Sequence, residues 1–366
     1  MTWFERHPRL STAGLLLASI LGTDVAFSHA YRWLVARREA PRPTLRVASA
    51  VYHHGLRPML STDAEHWGPG VYPYRTNSLG FRDRLPRQVE LAPRGPRVLF
   101  MGDSFTEGVG VAYEQTFVGI VDAAFAARGV EVLNAAVSLY SPTIYYRKTR
   151  YLLEDVGLGF DQMVVFIDIS DIEDEIAFSL DAEGHVALDP RRRRDEQRES
   201  RRYGSALWAL RPLQRWLDAH TLLLAWVYRG VDGLLARPGH RSAAWTRDPE
   251  AFESYGRLGL ERASARMEQL RALLAARGVR LTIVVYPWTD QILGRESDCR
   301  QERFWREWAA ARGAGFLDLF PDFLAAGAPE AVVRRYFIEG DIHWNAAGHA
   351  LVAAVFLKRY DPRPPP

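Results

Sequence analysis

The chain has 366 residues, 48% of them hydrophobic, and a formal net charge of +3. That is enough apolar material for one large core with additions, and too little net positive charge for a nucleic-acid binder. A single cysteine, Cys299, excludes an intramolecular disulfide framework and a cysteine metal cluster, and glycine and proline follow no collagen-like or repeat period.

Leu10 to Ala30 is mostly apolar and follows Arg6 and Arg9. It is long enough to span a bilayer, although Asp24 and His29 interrupt it and a carboxylate is expensive at hydrocarbon depth. No small-x-small cleavage site is evident, so residues 1–40 are read as a signal-anchor helix in preference to a cleaved signal or a buried helix. Arg32, Arg37 and Arg38 outnumber Arg6 and Arg9, which by the positive-inside rule leaves the following domain cytoplasmic.

Residues 41–96 are rich in proline, glycine and aromatics. Tyr52-His53-His54-Gly55 and Asn77-Ser78-Leu79-Gly80-Phe81-Arg82 are too specific in chemistry for a solvated linker. The segment is expected to be an extended strap laid across the next domain, with a share in a substrate groove as the alternative. His53 and His54 lack the carboxylate or cysteine pattern of a metal site, and no metal or cofactor is expected.

From Arg97 the elements alternate. Strand-like runs occur at Val98 to Met101, Val130 to Leu133, Met163 to Ile167, Leu281 to Tyr286 and Phe316 to Leu319. Helical patterns lie between them, as at Leu260 to Ala276, where Ala263, Met267, Leu270 and Leu274 share one face. This order predicts an α/β fold over residues 97–366, a three-layer α/β/α sandwich with a mostly parallel sheet. Ligands in such sheets bind beyond the carboxyl ends of strands, and Ser104, Tyr140 and Ser170 all follow such ends.

Residues 173–245 break the alternation. Arg191 to Arg194, with Asp195, Glu196 and Glu199 beside them, precede Trp208, Trp216, Trp226 and Tyr228 on helical segments. A helical insertion or lid is expected, its basic surface either solvated or in contact with anionic lipid or an acidic polysaccharide; no nucleic acid is expected. In the loop Tyr286-Pro287-Trp288-Thr289-Asp290-Gln291, Trp288 either forms a stacking wall for a sugar ring or packs beneath the insertion. Trp344 carries the same two readings.

Two short motifs carry chemistry. Ser104 stands in Gly102-Asp103-Ser104-Phe105-Thr106-Glu107-Gly108, where a strand hands over to a loop or helix. A serine hydroxyl is a poor nucleophile unless a base takes its proton and a third group orients that base. Asp341-Ile342-His343-Trp344-Asn345 supplies a carboxylate and an imidazole two residues apart, and Asn345 caps a helix expected over Ala346 to Lys358. Alone, Gly-Asp-Ser is equally the composition of an ordinary turn. His349 is read as a structural, hydrogen-bonding histidine.

Together these blocks resemble the SGNH or GDSL hydrolases, whose nucleophile lies in a Gly-Asp-Ser block after the first strand and whose Asp and His share one late block. The Asp341-x-His343-Trp344-Asn345 form looks like that of bacterial members associated with O-acetylation of exported polysaccharides. Similar Asn-Ser-x-Gly-Phe-Arg segments precede the nucleophile in related membrane-linked members. The resemblance covers roughly Arg97 to Tyr360, with a poorly matched middle, and implies Ser104, Asp341 and His343 as catalytic residues. The implied oxyanion donors are Ser104, Leu139 and Ser170, and the substrate contacts come from Tyr140, Trp288 and Trp344. Leu139 replaces the family's usual glycine and keeps its N–H as donor if the backbone does not require positive φ. Ser170 replaces an asparagine whose amide faces the oxyanion. The resemblance implies an esterase acting on an acylated, above all acetylated, glycan or another small ester. The alternatives are an O-acetyltransferase and a weakened glycan-binding component of a polysaccharide-modification machinery. It also implies a bacterial inner-membrane protein with an extracytoplasmic catalytic domain, opposite to the arginine count.

Overall fold

The five strands β5 (Arg97–Met101), β6 (Glu131–Asn134), β7 (Gln162–Ile167), β10 (Arg280–Val285) and β11 (Gly315–Asp318) form one parallel sheet in the order β11-β10-β7-β5-β6. They coincide within a residue or two with the runs expected from sequence. The computed structural model describes residues 6–38, 44–68, 70–189, 207–235 and 240–362. The chain divides into two compact units, Met1–Pro43 with Arg193–Pro238, and Thr44–Arg192 with Gly239–Pro366.

In the larger unit β5 and β7 are buried along their whole length, as strands covered on both faces must be. Phe100 of β5 and Phe166 of β7 meet Phe117 and Phe356 from the helices Phe117–Ala126 and Ala346–Arg359, which cover one face. The helices Pro142–Glu154 and Arg257–Ala275 pack together, the latter burying Leu260, Ala263, Met267, Leu270 and Leu274 as its periodicity predicts. The fold is a mixed α/β fold, its parallel sheet flanked by helices.

The segment before β5 is more ordered than a strap. It forms two antiparallel hairpins, β1 (Arg46–Ser49) with β2 (His53–Leu56), and β3 (Ser61–Trp67) with β4 (Gly70–Arg75). A turn follows in which Asn77 Oδ1 accepts from the N–H groups of Leu79 and Phe81. The buried guanidinium of Arg82 donates to the carbonyls of Glu107, Gly108 and Val111, tying this segment to the loop behind the nucleophile motif. A third hairpin, β8 (Phe178–Leu180) with β9 (Val186–Leu188), also belongs to the larger unit. The insertion expected over 173–245 therefore contributes only Arg193–Pro238 to the smaller unit, and Arg191 to Arg194 lie outside the described residues.

The smaller unit contains the helix Pro8–Arg38, of which Pro8–Val35 is long and apolar enough to cross a membrane. Its described residues also form the helices Arg211–His220 and Leu223–Leu235, with a small core of Leu217, Ala225 and Tyr228.

Candidate active site

β5 ends at Met101, and the next three residues turn the chain sharply. A Cβ on Gly102 would overlap the Thr106 hydroxyl, so only glycine lets the short helix Ser104–Glu107 fold back onto the strand end. Asp103 caps that helix by accepting from the N–H of Phe105 at 3.0 Å. Ser104 is thereby held at the carboxyl end of the central strand.

The late block meets it there. Asn345 Oδ1 accepts from the N–H groups of Ala347 and Gly348, capping the helix Ala346–Arg359, while its Nδ2 donates to the carbonyls of Arg335 and Phe337. This fixes the preceding turn, in which the His343 ring nitrogen Nδ1 lies 2.6 Å from Asp341 Oδ1 and Nε2 lies 2.8 Å from Ser104 Oγ. A carboxylate only accepts, so Nδ1 carries the proton and Nε2 is left to accept from the serine hydroxyl. Burial works to raise the Asp341 pKa. The hydrogen bonds from the His343 ring and backbone and from Trp67, together with the imidazole charge, outweigh it and hold the carboxyl well below the ordinary aspartate value.

The sequence did not point to Trp67. It stands at the end of β3, donates from Nε1 to Asp341 Oδ2 at 2.9 Å, and presents its ring edge-on to the His343 imidazole, centroids 4.8 Å apart. Phe105 also packs against that imidazole, ring centroids 4.7 Å apart. Each Asp341 oxygen thus has its own donor, and two aromatic rings pack on the imidazole.

The oxyanion candidates differ among themselves. Among the described residues neither the Ser104 nor the Leu139 backbone N–H has an acceptor. Leu139 does adopt positive φ, at 66°, so the condition on which leucine was expected to fit there fails. A leucine in this region costs about 1–2 kcal/mol. Leu139 is 64% exposed. Its neighbour Ser138 is fixed by Glu107, whose Oε2 accepts from the Ser138 N–H at 2.6 Å and hydroxyl at 2.8 Å. Ser170 does not serve as its replaced asparagine would. Its hydroxyl and N–H both donate to Asp168 Oδ1, at 2.6 and 2.7 Å.

The three proposed substrate contacts also need correction. Trp344 and Tyr140 are fully buried and Trp288 is 4% exposed, so none offers an open ring face. Trp288 Nε1 donates to Asp168 Oδ2 at 2.7 Å, and the Tyr140 hydroxyl donates to the His54 carbonyl at 2.7 Å. Asp168 is a buried acceptor that gathers donors from Ser170 and Trp288. His349 is buried and accepts at Nδ1 from the Phe117 N–H, a structural role.

Carboxylates of Asp103, Asp168 and Asp171 converge behind the serine, with one oxygen of each within 4.8 Å of the others. Burial first, and then mutual repulsion, raises the pKa values of Asp103 and Asp171 well above the ordinary range; Asp168 is raised by burial. Donors from Phe105, Tyr286, Ser170, Trp288 and Tyr145 already occupy most of these oxygens; Asp171 Oδ1 has no partner, and Asp103 Oδ2 faces only Ser104 Oγ, at 3.2 Å against the 2.8 Å from that hydroxyl to His343 Nε2. A cation would have to displace them, which fits a proton-sharing cluster better than a metal cage. His53 and His54 hydrogen-bond to each other at 2.8 Å, and burial lowers the His54 pKa to about 4.

A cavity of about 580 Å³ opens beside Asp341, lined among others by His240, Asp290, Leu293, Val333 and Phe337. His240 turns Nδ1 to Asp290 Oδ2 at 3.0 Å, and this hydrogen bond raises the His240 pKa.

No protein-family model and no curated protein sequence matches the chain. Solved structures do. A catalytic mutant of Axe2, an acetylxylan esterase from Geobacillus stearothermophilus, is 16% identical, covering 74% of this chain and 95% of its own, with a TM-score of 0.39. A member of the lipolytic G-D-S-L family from Veillonella parvula is 14% identical over 73% of this chain and 98% of its own, TM-score 0.40. The psychrotrophic esterase EstA from Pseudoalteromonas sp. is 11% identical over 72% and 96%, TM-score 0.38.

Proposed function

We propose that the chain is a serine esterase of the SGNH or GDSL type, acting on O-acyl groups of a glycan. The observation that carries this reading is the unbroken relay from Ser104 Oγ through His343 to Asp341, at 2.8 and 2.6 Å. Ser104 Oγ bonds to the ester carbonyl carbon as its proton passes to His343 Nε2. The imidazolium that forms is stabilised by Asp341, and the oxyanion lies against the free N–H groups of Ser104 and Leu139; one such donor is worth about 3–4 kcal/mol. His343 then returns the proton to the leaving alcohol oxygen as the ester C–O bond breaks. Water, deprotonated by the same imidazole, releases the acid from the acyl-serine.

The cavity supports a polar alcohol portion. His240 keeps Nδ1 on Asp290 and has Nε2 available for a hydroxyl, while Leu293, Val333 and Phe337 supply apolar wall. The preference for acetylated glycan rests on the resemblance of the Asp341–Asn345 block, and an extracytoplasmic domain anchored by the N-terminal helix is part of the same proposal.

A fluorophosphonate should form one adduct, on Ser104, and Ser104→Ala should lose that adduct and cut ester turnover at least about 10³-fold. An adduct elsewhere, or turnover unaffected in Ser104→Ala, overturns the assignment. Supplying an acetyl donor with an unmodified oligosaccharide separates hydrolysis from transfer. Free acetate is the expected product, and dominant Ser104-dependent sugar acetylation makes the protein a transferase.

A further inference from the structure

The smaller unit solves a problem that the sequence poses. Asp24 lies within an otherwise apolar helix, yet it is only 7% exposed and its carboxylate is filled. Oδ1 accepts from the N–H groups of Leu222 and Leu223, both at 3.1 Å, and Oδ2 from that of Leu224 at 2.8 Å. Ser28, one turn along, donates its hydroxyl to the same carboxylate at 3.1 Å. These backbone groups are the orphan donors at the start of the helix Leu223–Leu235, so Asp24 caps that helix from another segment of the chain.

Two turns further on, Arg32 does the converse. Its guanidinium donates to the carbonyls of Asp218, Ala219 and Thr221, where the helix Arg211–His220 ends. His29 lies 3.2 Å from His220 between them. A negative group meets one helix N-terminus and a positive group the neighbouring C-terminus, each matching the local helix dipole. The turn between the two helices is clasped at both polar ends.

Depth follows from length. A hydrocarbon core takes about 20 helical residues. Every window of that length inside Pro8–Val35 contains Asp24. Wherever this helix crosses, the backbone at Leu222 to Leu224 lies in hydrocarbon with it. Peptide groups there must be satisfied within the protein, as Asp24 satisfies them. The outward face of Leu223–Leu235 is built for the same surroundings. Leu223, Trp226, Val227, Val231, Leu234 and Leu235 recur at helical spacing and are 42 to 87% exposed. The long helix is likewise apolar outside, where Leu17 is 68% and Phe27 62% exposed.

We propose that the helix pair Arg211–His220 and Leu223–Leu235 is a second membrane-embedded element, clasped to the spanning helix through Asp24 and Arg32, with the outer face of Leu223–Leu235 against lipid acyl chains. The proposal rests on Pro8–Val35 crossing a bilayer and is independent of the esterase reading.

The test uses the full-length chain in nanodiscs, with Cys299→Ser as background and single cysteines at Leu17→Cys, Trp226→Cys, Leu234→Cys and Glu307→Cys, each carrying bimane. Lipids brominated on the acyl chain should quench the label at 17, 226 and 234 and spare the one at 307. Quenching at 17 without quenching at 226 and 234 overturns the proposal while leaving the span intact; no quenching at 17 removes the span and the proposal with it. Disulfide cross-linking of Trp226→Cys between copies, without quenching, assigns the face to a second copy of the chain and also overturns it. Adding Asp24→Ala should abolish quenching at 226 but not at 17, with partial recovery in Asp24→Asn. Unchanged quenching at 226 in Asp24→Ala removes the clasp.

Discussion

Trp67 gives the site a rigidity that its three motif residues lack on their own. Replacing it by phenylalanine keeps an aromatic ring beside His343 and removes only the donor to Asp341 Oδ2. A lost hydrogen bond to a charged group amounts to about 1.5–3 kcal/mol, so Trp67→Phe should lower kcat about 10- to 100-fold with little change in KM. Steady-state kinetics on an aryl acetate measures both, and a kcat equal to the parent's would show that Asp341 needs no second donor. Ser104, Asp341 and His343 were legible because each sits in a short block whose residue types imply one another. Trp67 was not, since its partner is 274 residues away and nothing local marks the pairing. Ser170 was read as an oxyanion donor, and Trp288 was left between a sugar contact and a packed residue, for a related reason. Strand-end position suggested solvent-facing roles, while the demand that actually fixes them, a buried Asp168 carboxylate in need of donors, shows only once the carboxylate is seen to be buried and Trp288, 120 residues away, is brought to it.

At the scale of elements, the parallel strands were legible because a strand covered on both faces must be continuously apolar, as β7 is. The hairpins of residues 46–75 were not, because proline, glycine and polar residues interrupt any alternation there. Their docking depends on Glu107, from the helix that also carries Ser104. Its carboxylate meets Arg46 of β1, the Tyr74 hydroxyl of β4 and Ser138, and although burial opposes it these partners keep its pKa below the ordinary value. Glu107→Gln removes the charge that Arg46 and Ser138 share while preserving shape. Breaking a buried pair costs about 3–5 kcal/mol, and Arg46 is partly solvated, so a loss of about 2–3 kcal/mol is expected in urea unfolding. A loss below about 0.5 kcal/mol would mean that the hairpins are held by Arg82 and packing alone.

For the whole molecule, the buried Lys148 makes stability pH-dependent. Its ammonium donates to the Ala135 carbonyl and the Tyr140 hydroxyl, and burial lowers its pKa to about 7. An unfolded lysine titrates near 10.4, so between these values the unfolded chain holds a proton that the folded chain has released. Stability from this group therefore rises as pH increases from about 7 toward 10, with a slope of at most about 1.4 kcal/mol per pH unit. Lys148→Met should flatten that rise in urea unfolding compared between neutral and alkaline buffers; an unchanged slope would place the proton elsewhere. The division into two units was only half legible. The break in alternation marked residues 173–245, of which Arg193–Pro238 falls in the smaller unit, but their union with the N-terminal helix rests on Asp24, which hydropathy marks as a defect, and on Arg32.

The relay between Ser104 and His343 also has a timetable. The two residues are 239 positions apart. At about 5–20 residues per second of synthesis, a ribosome needs about 12–50 s to travel from one to the other. Throughout that interval the emerging polypeptide carries a nucleophile without a base. On the proposed esterase reading, the nascent chain stays chemically silent through that interval and gains its activity in one step, when the late block arrives.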